Sequence, residues 1–446
     1  MHELKMEMPS PVREAIERLE NAGYRAYAVG GCVRDTLLSR APNDWDVTTS
    51  ARPEQTAACF ADCRTIETGI RHGTLTVLLD GMPLEITTFR NDGEYADNRH
   101  PVSVTFSAEV EDDLSRRDFT VNAMAYHPTR GLVDLFDGQG DLARRVIACV
   151  GDPATRFCED GLRILRAIRF ASVLDFSLDP ETEKAVHTHR ALLHNIAAER
   201  IREELCKLLC GVGAERILRE FSDVIGEFIP ELLPCVGFAQ NCRYHCYDVY
   251  EHSIRALGNA TPDLITRLAL FLHDIGKPES YTEDESGGHF PGHGARSAAL
   301  AETILRRLRF DNATAACVVR LISYHDREIP AEERAVKRLM CKLSDEEISR
   351  LMEIRRCDRM ACAEGYCTPD DSVWQIPLLG ERIRASDACL SLRTLAVKGD
   401  DLLGLGVAPG KPVGQMLASL LERVIDGELP NEREALLAFA RRALKA

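Results

Sequence analysis

The 446-residue sequence predicts an α+β N-terminal head, a mixed sheet with helices on it, followed by a long all-helical body. Three observations carry this. Short alternating strands separated by glycine turns fill residues 24–90. Strand signals nearly vanish from about residue 154. Helical periodicity then runs to the C-terminus, interrupted at "GEFIPELLPCVG", "EDESGGHFPGHG" and "GLGVAPGKPVG".

The elements follow in order. Residues 11–22 have helical spacing, and "YRAYAVGG" reads as a strand running into a glycine pair. "CVRDTLLSR" gives a turn or two of helix, "NDWDVTTS" alternates as a strand, and "RPEQTAACFAD" returns to helix. "GTLTVLLDGMPLEITTFR" is a hairpin with Asp80-Gly81 at its tip, because Asp-Gly supplies the positive φ angles of a tight primed turn. The polar stretch 90–107, "RNDGEYADNRHPVSVTFS", reads as a loop.

A chain this long exceeds one core, and two to four domains are expected. No segment reaches the roughly 18 apolar residues of a membrane span. The N-terminus is charged and has no signal-peptide core, which points to a cytoplasmic protein. There are sixteen cysteines and no CxxC pair, and most of them are expected to be reduced, packed thiols. A net charge of −15 argues against a general nucleic-acid coat but leaves room for a local basic groove.

Chemistry concentrates in a few places. Asp44 and Asp46 are two apart and are expected on one face of a strand. Two carboxylates so placed repel unless a cation lies between them, and Mg²⁺ commonly takes one or two carboxylates plus substrate phosphates. Gly30-Gly31 lets backbone N–H groups approach a phosphate, and Arg34 adds a cationic fork. Glu85 is either a third carboxylate or a surface residue of an alternating strand. In "EDDLSRRDFTVNAMAYH", Arg117 is a candidate phosphate ligand, with Asp118 and Asn122 holding sugar or backbone, or else the group caps a helix. In "CEDGLRILRAIRF", Arg163, Arg166 and Arg169 are three apart, so they wind around a helix instead of forming one solvent stripe. Glu159 is placed to orient Arg163.

"VGGCVRDTLLSRAPNDWDVTTS", "EDDLSRRDFTVNAMAYH" and "RFCEDGLRILRAIRFAS" together resemble the successive motifs of class II tRNA nucleotidyltransferases, the CCA-adding enzymes and their poly(A) polymerase relatives. The resemblance is dense over residues 24–210 and looser beyond. It implies a nucleotidyltransferase head (1–145), a helical neck that recognises the base (146–220), an HD-like body (221–365) and a tRNA-binding tail (366–446). It implies Mg²⁺ at Asp44 and Asp46, and attack of the tRNA 3′-hydroxyl on the nucleotide α-phosphate. It also implies nucleotide binding by Gly31, Arg34 and Arg117, and base selection by Asp160 and Arg163, with Arg166 and Arg169 in the same set. An Asp–Arg pair suits this, since C and A both present an amine beside a ring-nitrogen acceptor, whereas U and G do not. The implied substrates are tRNA, CTP and ATP. The segment "RNDGEYADNRHPVSVTF" resembles the flexible loop that permits addition of the terminal A.

"YDVYEHSIRAL", "LALFLHDIGKPESYT", "HFPGHGARSAAL", "LISYHDREI" and "EIRRCDRMA" come in the order expected of an HD phosphohydrolase domain. His252, His273, Asp274, His293, His325 and Asp358 form a candidate site for a second divalent metal, with Asp326 as competitor for one position. Thr261-Pro262 is expected to start the His273-Asp274 helix, and Gly276 and Pro278 to end it. Other readings are an A-adding enzyme, a poly(A) polymerase, or a metal-dependent HD phosphohydrolase with an RNA-binding head.

Overall fold

A computed structural model of the chain describes residues 6–67, 69–70, 73–93, 104–386 and 388–444. The chain divides between Leu233 and Pro234 into two compact units.

The first unit holds strands β1 (Ala26–Val29), β2 (Asp46–Thr49), β3 (Arg64–Ile66), β4 (Thr74–Leu79), β5 (Met82–Thr88), β6 (Arg90–Asp92), β7 (Val104–Phe106), β8 (Met124–His127) and β9 (Gly131–Asp134). Seven form one mixed sheet in the order β3-β4-β5-β2-β1-β8-β9. Its one parallel pairing, β2 with β5, sets Asp46 directly opposite Glu85. The hairpin at Asp80-Gly81 is present, with Leu79 opposite Met82 and both turn residues at positive φ. Strand β1 is buried along its whole length, which fits its purely apolar "AYAV". Tyr27, Val29, Phe89, Val110, Leu114 and Ala125 form a core beneath it.

Helices α1 (Ser10–Asn21), α2 (Gly31–Leu37), α3 (Pro53–Cys59), α4 (Val110–Ser115) and α5 (Gly138–Arg144) accompany the sheet. After it come α6 (Pro153–Glu159), α7 (Leu162–Leu174), α8 (Pro180–His189), α9 (Ala198–Leu209), α10 (Ala214–Glu220) and α11 (Ser222–Gly226). Helix α7 is apolar on nearly every side, with Leu162, Ile164, Leu165, Ala167, Ile168, Phe170, Ala171 and Leu174 all buried. Such a helix belongs inside a bundle.

Three expectations change here. Residues 158–170 are not one helix: α6 ends at Glu159, Asp160 is extended (φ −138°, ψ 105°), and α7 starts beyond Gly161. Asp44 precedes the strand instead of lying on it, since β2 begins at Asp46. The 90–107 stretch is not all loop, because β6 pairs with β7 as a two-stranded ribbon. Residues 94–103, the centre of the segment expected to permit A addition, lie outside the described residues.

The second unit is helical apart from a short hairpin of Thr282–Asp284 with Gly287–His289. Its elements are α12 (Val249–Gly258), α13 (Leu264–Leu272), α14 (Lys277–Ser280), α15 (His293–Arg307), α16 (Asn312–Tyr324), α17 (Glu333–Met340), α18 (Asp345–Met360), α19 (Ser372–Ala385), α20 (Gly399–Leu403), α21 (Lys411–Ile425) and α22 (Arg433–Ala443). Helix α13 starts later than expected: Asp263 caps it by accepting from Thr266 N at 2.9 Å. It also ends earlier, at Leu272, and Pro278 occupies the first turn of α14. Toward the C-terminus, Leu395, Val397, Leu402, Leu420, Leu436 and Ala440 make a separate core cluster. None of the sixteen cysteines forms a disulfide, and Cys32, Cys149, Cys235, Cys357 and Cys389 are buried. Among the described residues, no helix is long and apolar enough to cross a membrane.

Candidate functional site

The turn after β1 builds one wall. Gly30 has φ +81°, and a Cβ there would lie 2.9 Å from Arg117 Nη1. Only glycine satisfies both the backbone and the arginine. Gly31 opens α2, and its Cβ would meet Arg34 Nη2 at an ordinary 3.7 Å, so the steric demand falls on Gly30. Gly30→Ala is expected to displace the Arg117 guanidinium and Gly31→Ala to leave it in place, which the crystal structures of the two variants test.

The carboxylates come next. Trp45 is buried, Asp44 is exposed and Asp46 is half-buried at the head of β2. Burial raises the Asp46 carboxyl, Arg117 opposes it, and the charges of Glu85 and Asp44 push it further, to about 6. Three acidic groups thus feel one another's charge, and carboxylate oxygens are the donor type a hard divalent cation takes.

Behind them Asp113 is fully buried and accepts from Arg116 Nη2 at 2.6 Å, Arg117 Nη2 at 3.2 Å and Thr48 Oγ1 at 3.2 Å. Burial alone would raise its carboxyl, but Arg117 and Arg116 hold it below the usual range. Arg34 Nη1 donates to Asn122 Oδ1 at 2.7 Å, and its guanidinium lies over the Phe170 ring at 5.2 Å. A single oxygen of Asp118, Oδ2, accepts both Nε (2.8 Å) and Nη2 (2.6 Å) of Arg166. Burial works against ionisation of Asp118, yet Arg166 pulls its carboxyl down to about 2.

The three arginines of α7 each find a different carboxylate. Arg163 pairs with Glu159 and donates from Nη2 to the Arg116 carbonyl at 3.0 Å. Arg166 takes Asp118, and Arg169, itself buried, takes Glu204 on α9 at 2.6 Å. Asp160, at the break before α7, accepts Leu162 N at 3.0 Å and both Nη atoms of Arg200 at 3.3 and 2.8 Å. Asp113 and Arg200 are the groups missed in the sequence. Asp113 reads there as one of a run of acids, and Arg200 stands forty residues from its partner.

In the second unit all six candidate ligands come together. His252 Nε2 is 2.8 Å from Asp358 Oδ1, and His273 Nε2 is 3.3 Å from Asp274 Oδ2. His293 Nε2 and His325 Nε2 are 3.4 and 3.8 Å from Asp274 Oδ1. Asp326 stands outside this ring, 3.8 Å from His293 Nδ1. Lys277 Nζ lies 2.7 Å from Asp274 and donates to Gln240 Oε1 at 2.8 Å. Its place in "HDIGK", four residues after His273, was the available signal.

A mixed sheet that presents Asp46 beside Glu85 at the mouth of a glycine turn, backed by ordered arginines, is a nucleotidyltransferase head. Family models match here: "Poly A polymerase head domain" over residues 26–148, and "tRNA nucleotidyltransferase domain 2" over residues 296–440. The chain belongs to the family of CCA-adding enzymes. It is 35% identical over 439 residues to the CCA-adding enzyme of Limosilactobacillus fermentum, covering 98% of this chain and 97% of that one. It is also 35% identical over 442 residues to that of Levilactobacillus brevis, covering 97% of each. The crystal structure of the Bacillus stearothermophilus CCA-adding enzyme in complex with CTP superposes with a TM-score of 0.75, at 29% identity and 98% coverage of both chains. The Thermotoga maritima enzyme complexed with tRNA shares the fold, with a TM-score of 0.58 at 20% identity.

Proposed function

We propose that this enzyme adds C, C and A to the 3′ end of tRNA from CTP and ATP, without a nucleic-acid template and with release of pyrophosphate. The full-length relation to CCA-adding enzymes carries this reading. Its chemistry follows from the residues above. Asp44 and Asp46 would hold Mg²⁺, with Glu85 beside Asp46 as a third carboxylate. The ion would supply charge stabilisation at the α-phosphate as the tRNA 3′-hydroxyl attacks. Arg117, held by Asp113, and Arg34, held by Asn122, present fixed donors to the triphosphate beside Gly31.

Asp160 and Arg163 are the proposed base readers. Asp160 Oδ1 is taken by Leu162 N and Arg200 Nη1, while Oδ2 accepts only Arg200 Nη2 and keeps a lone pair that can accept the amine of C or A. Arg166 and Arg169 serve the same pocket by fixing α7 through Asp118 and Glu204. The four segments 1–145, 146–220, 221–365 and 366–446 are proposed to act as head, neck, body and tail, in the cytoplasm. We assign a further divalent cation to the histidine ring of the body, because its donors are of the N and O types such an ion takes.

Incorporation on three tRNA primers, lacking A, CA or CCA, tests the assignment. The expected result is CMP addition to the shortest, CMP to the second and AMP to the third. AMP addition alone would favour an A-adding enzyme, and long A tails on generic RNA would favour a polymerase. No incorporation on any primer would refute the proposal.

A further inference from the structure

The ring of Phe170, on α7, is shared by three guanidinium groups. Arg169 lies 3.5 Å from its centroid, Arg34 5.2 Å and Arg166 5.4 Å. Three cations around one ring repel one another unless something offsets their charge. Each has a carboxylate of its own: Glu204 for Arg169, Asp35 for Arg34 and Asp118 for Arg166. The negative face of the ring adds an attraction that grows where water is excluded, and Phe170 is buried. Phe119 packs edge-on against the same ring, with centroids 5.7 Å apart and planes at 77°, which holds the ring plane.

Arg34 differs from the other two. Arg166 and Arg169 belong to α7 itself, whereas Arg34 stands on α2 in the head. Its edge is held inside the head, where Nε donates to Asp35 Oδ1 at 2.8 Å and Nη1 to Asn122 Oδ1 at 2.7 Å. Bonds along the edge of a planar group fix it in its own plane, and a ring against its face limits its tilt. Helix α7 reaches Arg34 by a second route as well. Arg166 holds Asp118 Oδ2, Asp118 Oδ1 accepts Asn122 Nδ2 at 3.3 Å, and Asn122 Oδ1 accepts Arg34. Arg163 donates to the Arg116 carbonyl, which shares its peptide unit with Arg117. Arg163, Arg166 and Phe170 stand at i, i+3 and i+7, so one face of α7 makes all of these contacts.

We propose that Phe170 is a positioning residue for nucleotidyl transfer. Its ring sets the tilt of Arg34 and carries the placement of α7 into the triphosphate site, so that a poorly seated base costs rate at the chemical step. The proposal rests on the reading of Arg34 as a triphosphate donor and of Asp160 and Arg163 as base readers, and adds the side chain that joins the two.

Single-turnover CMP incorporation by the full-length enzyme, on tRNA lacking CCA and at saturating CTP, tests this. Phe170→Leu keeps an apolar side chain without a ring, and should lower the rate about 10-fold while KM for CTP stays within about twofold. Phe170→Tyr keeps the ring face and should hold the rate within about threefold of wild type. Arg34→Ala alone should cost about 100-fold, and Phe170→Leu should then add less than about twofold, since the ring acts through Arg34. Equal losses from Phe170→Leu in both backgrounds, or no loss in the wild-type background, would overturn the proposal and leave the reading of Arg34 standing. A full rate in Arg34→Ala would overturn that reading and the proposal with it. With UTP, Phe170→Leu should change the rate little, so selectivity narrows about 10-fold. An unchanged ratio of CTP to UTP rates would overturn the link to base reading. Should thermal melts show that Phe170→Leu does not fold, mono-, di- and trifluorinated phenylalanine at position 170 takes its place. Fluorination keeps the shape of the ring and weakens its face, so the rate should fall stepwise, and a flat series would overturn the proposal.

Discussion

Asp46→Ala lowers CMP and AMP incorporation by about 1,000-fold or more, the cost of losing several kcal/mol of charge stabilisation at the reacting phosphate. Asp46→Asn does the same, yet it raises the stability of the metal-free protein at neutral pH. The reason lies in the direction of the Asp46 shift, from 3.8 up to about 6 under burial and the charges of Glu85 and Asp44. A carboxyl raised on folding binds its proton more tightly in the native state. Its favourable contribution is therefore complete below about pH 4 and is lost as pH rises through about 6. Asn keeps the neutral form at every pH, so the variant should gain on the order of 1–3 kcal/mol above pH 6. Thermal melts in chelator across that range are the measurement. The gap between variant and wild type should close below about pH 4 and shrink when Mg²⁺ is added. A variant that melts with the wild type at neutral pH, or an Asp46→Ala enzyme with ordinary activity, would dismiss this role.

Asp160→Ala relaxes base choice by about 100-fold while slowing CMP transfer much less. Each mismatched base leaves a buried donor or acceptor unpaired, worth about 1–3 kcal/mol, and two such failures give that factor. Asp160 also caps α7 through Leu162 N, so Ala carries about 1 kcal/mol of helix destabilisation as well. Asp160→Asn keeps a side-chain acceptor for that cap while reversing half of the donor pattern offered to the base, which separates the two effects. The ratio of kcat/KM for CTP to that for UTP is the readout. An unchanged ratio in both variants would refute base reading by Asp160.

Much of the head could be read from short-range pattern. The Asp80-Gly81 turn is visible because its two positive φ angles need those residue types, and the β1 core strand because it is wholly apolar. Asp46 is legible for the same reason: it begins an alternating strand whose pairing then supplies Glu85. Local pattern failed where partners come from afar. The helix break at Asp160-Gly161 interrupts no hydrophobic period, so residues 158–170 look continuous, while the Asp160 carboxylate meets Arg200 only in the folded chain. Asp113 looks like a solvated acid beside Glu111 and Asp112, yet it is the buried anchor of Arg116 and Arg117. The clustering of the six histidine and aspartate side chains of the body was legible because each is rare and ordered. Their division around the two oxygens of Asp274 was not, since sequence order carries no oxygen-by-oxygen geometry.

The three arginines of α7 have a consequence for inheritance. Because each grips a carboxylate from a different stretch, at Glu159, Asp118 and Glu204, this helix is not a module that recombination can move alone. A chimera that imports α7 by itself strands one cation at each lost partner. Exchange that keeps every ion pair would thus take the whole span from Asp118 to Glu204.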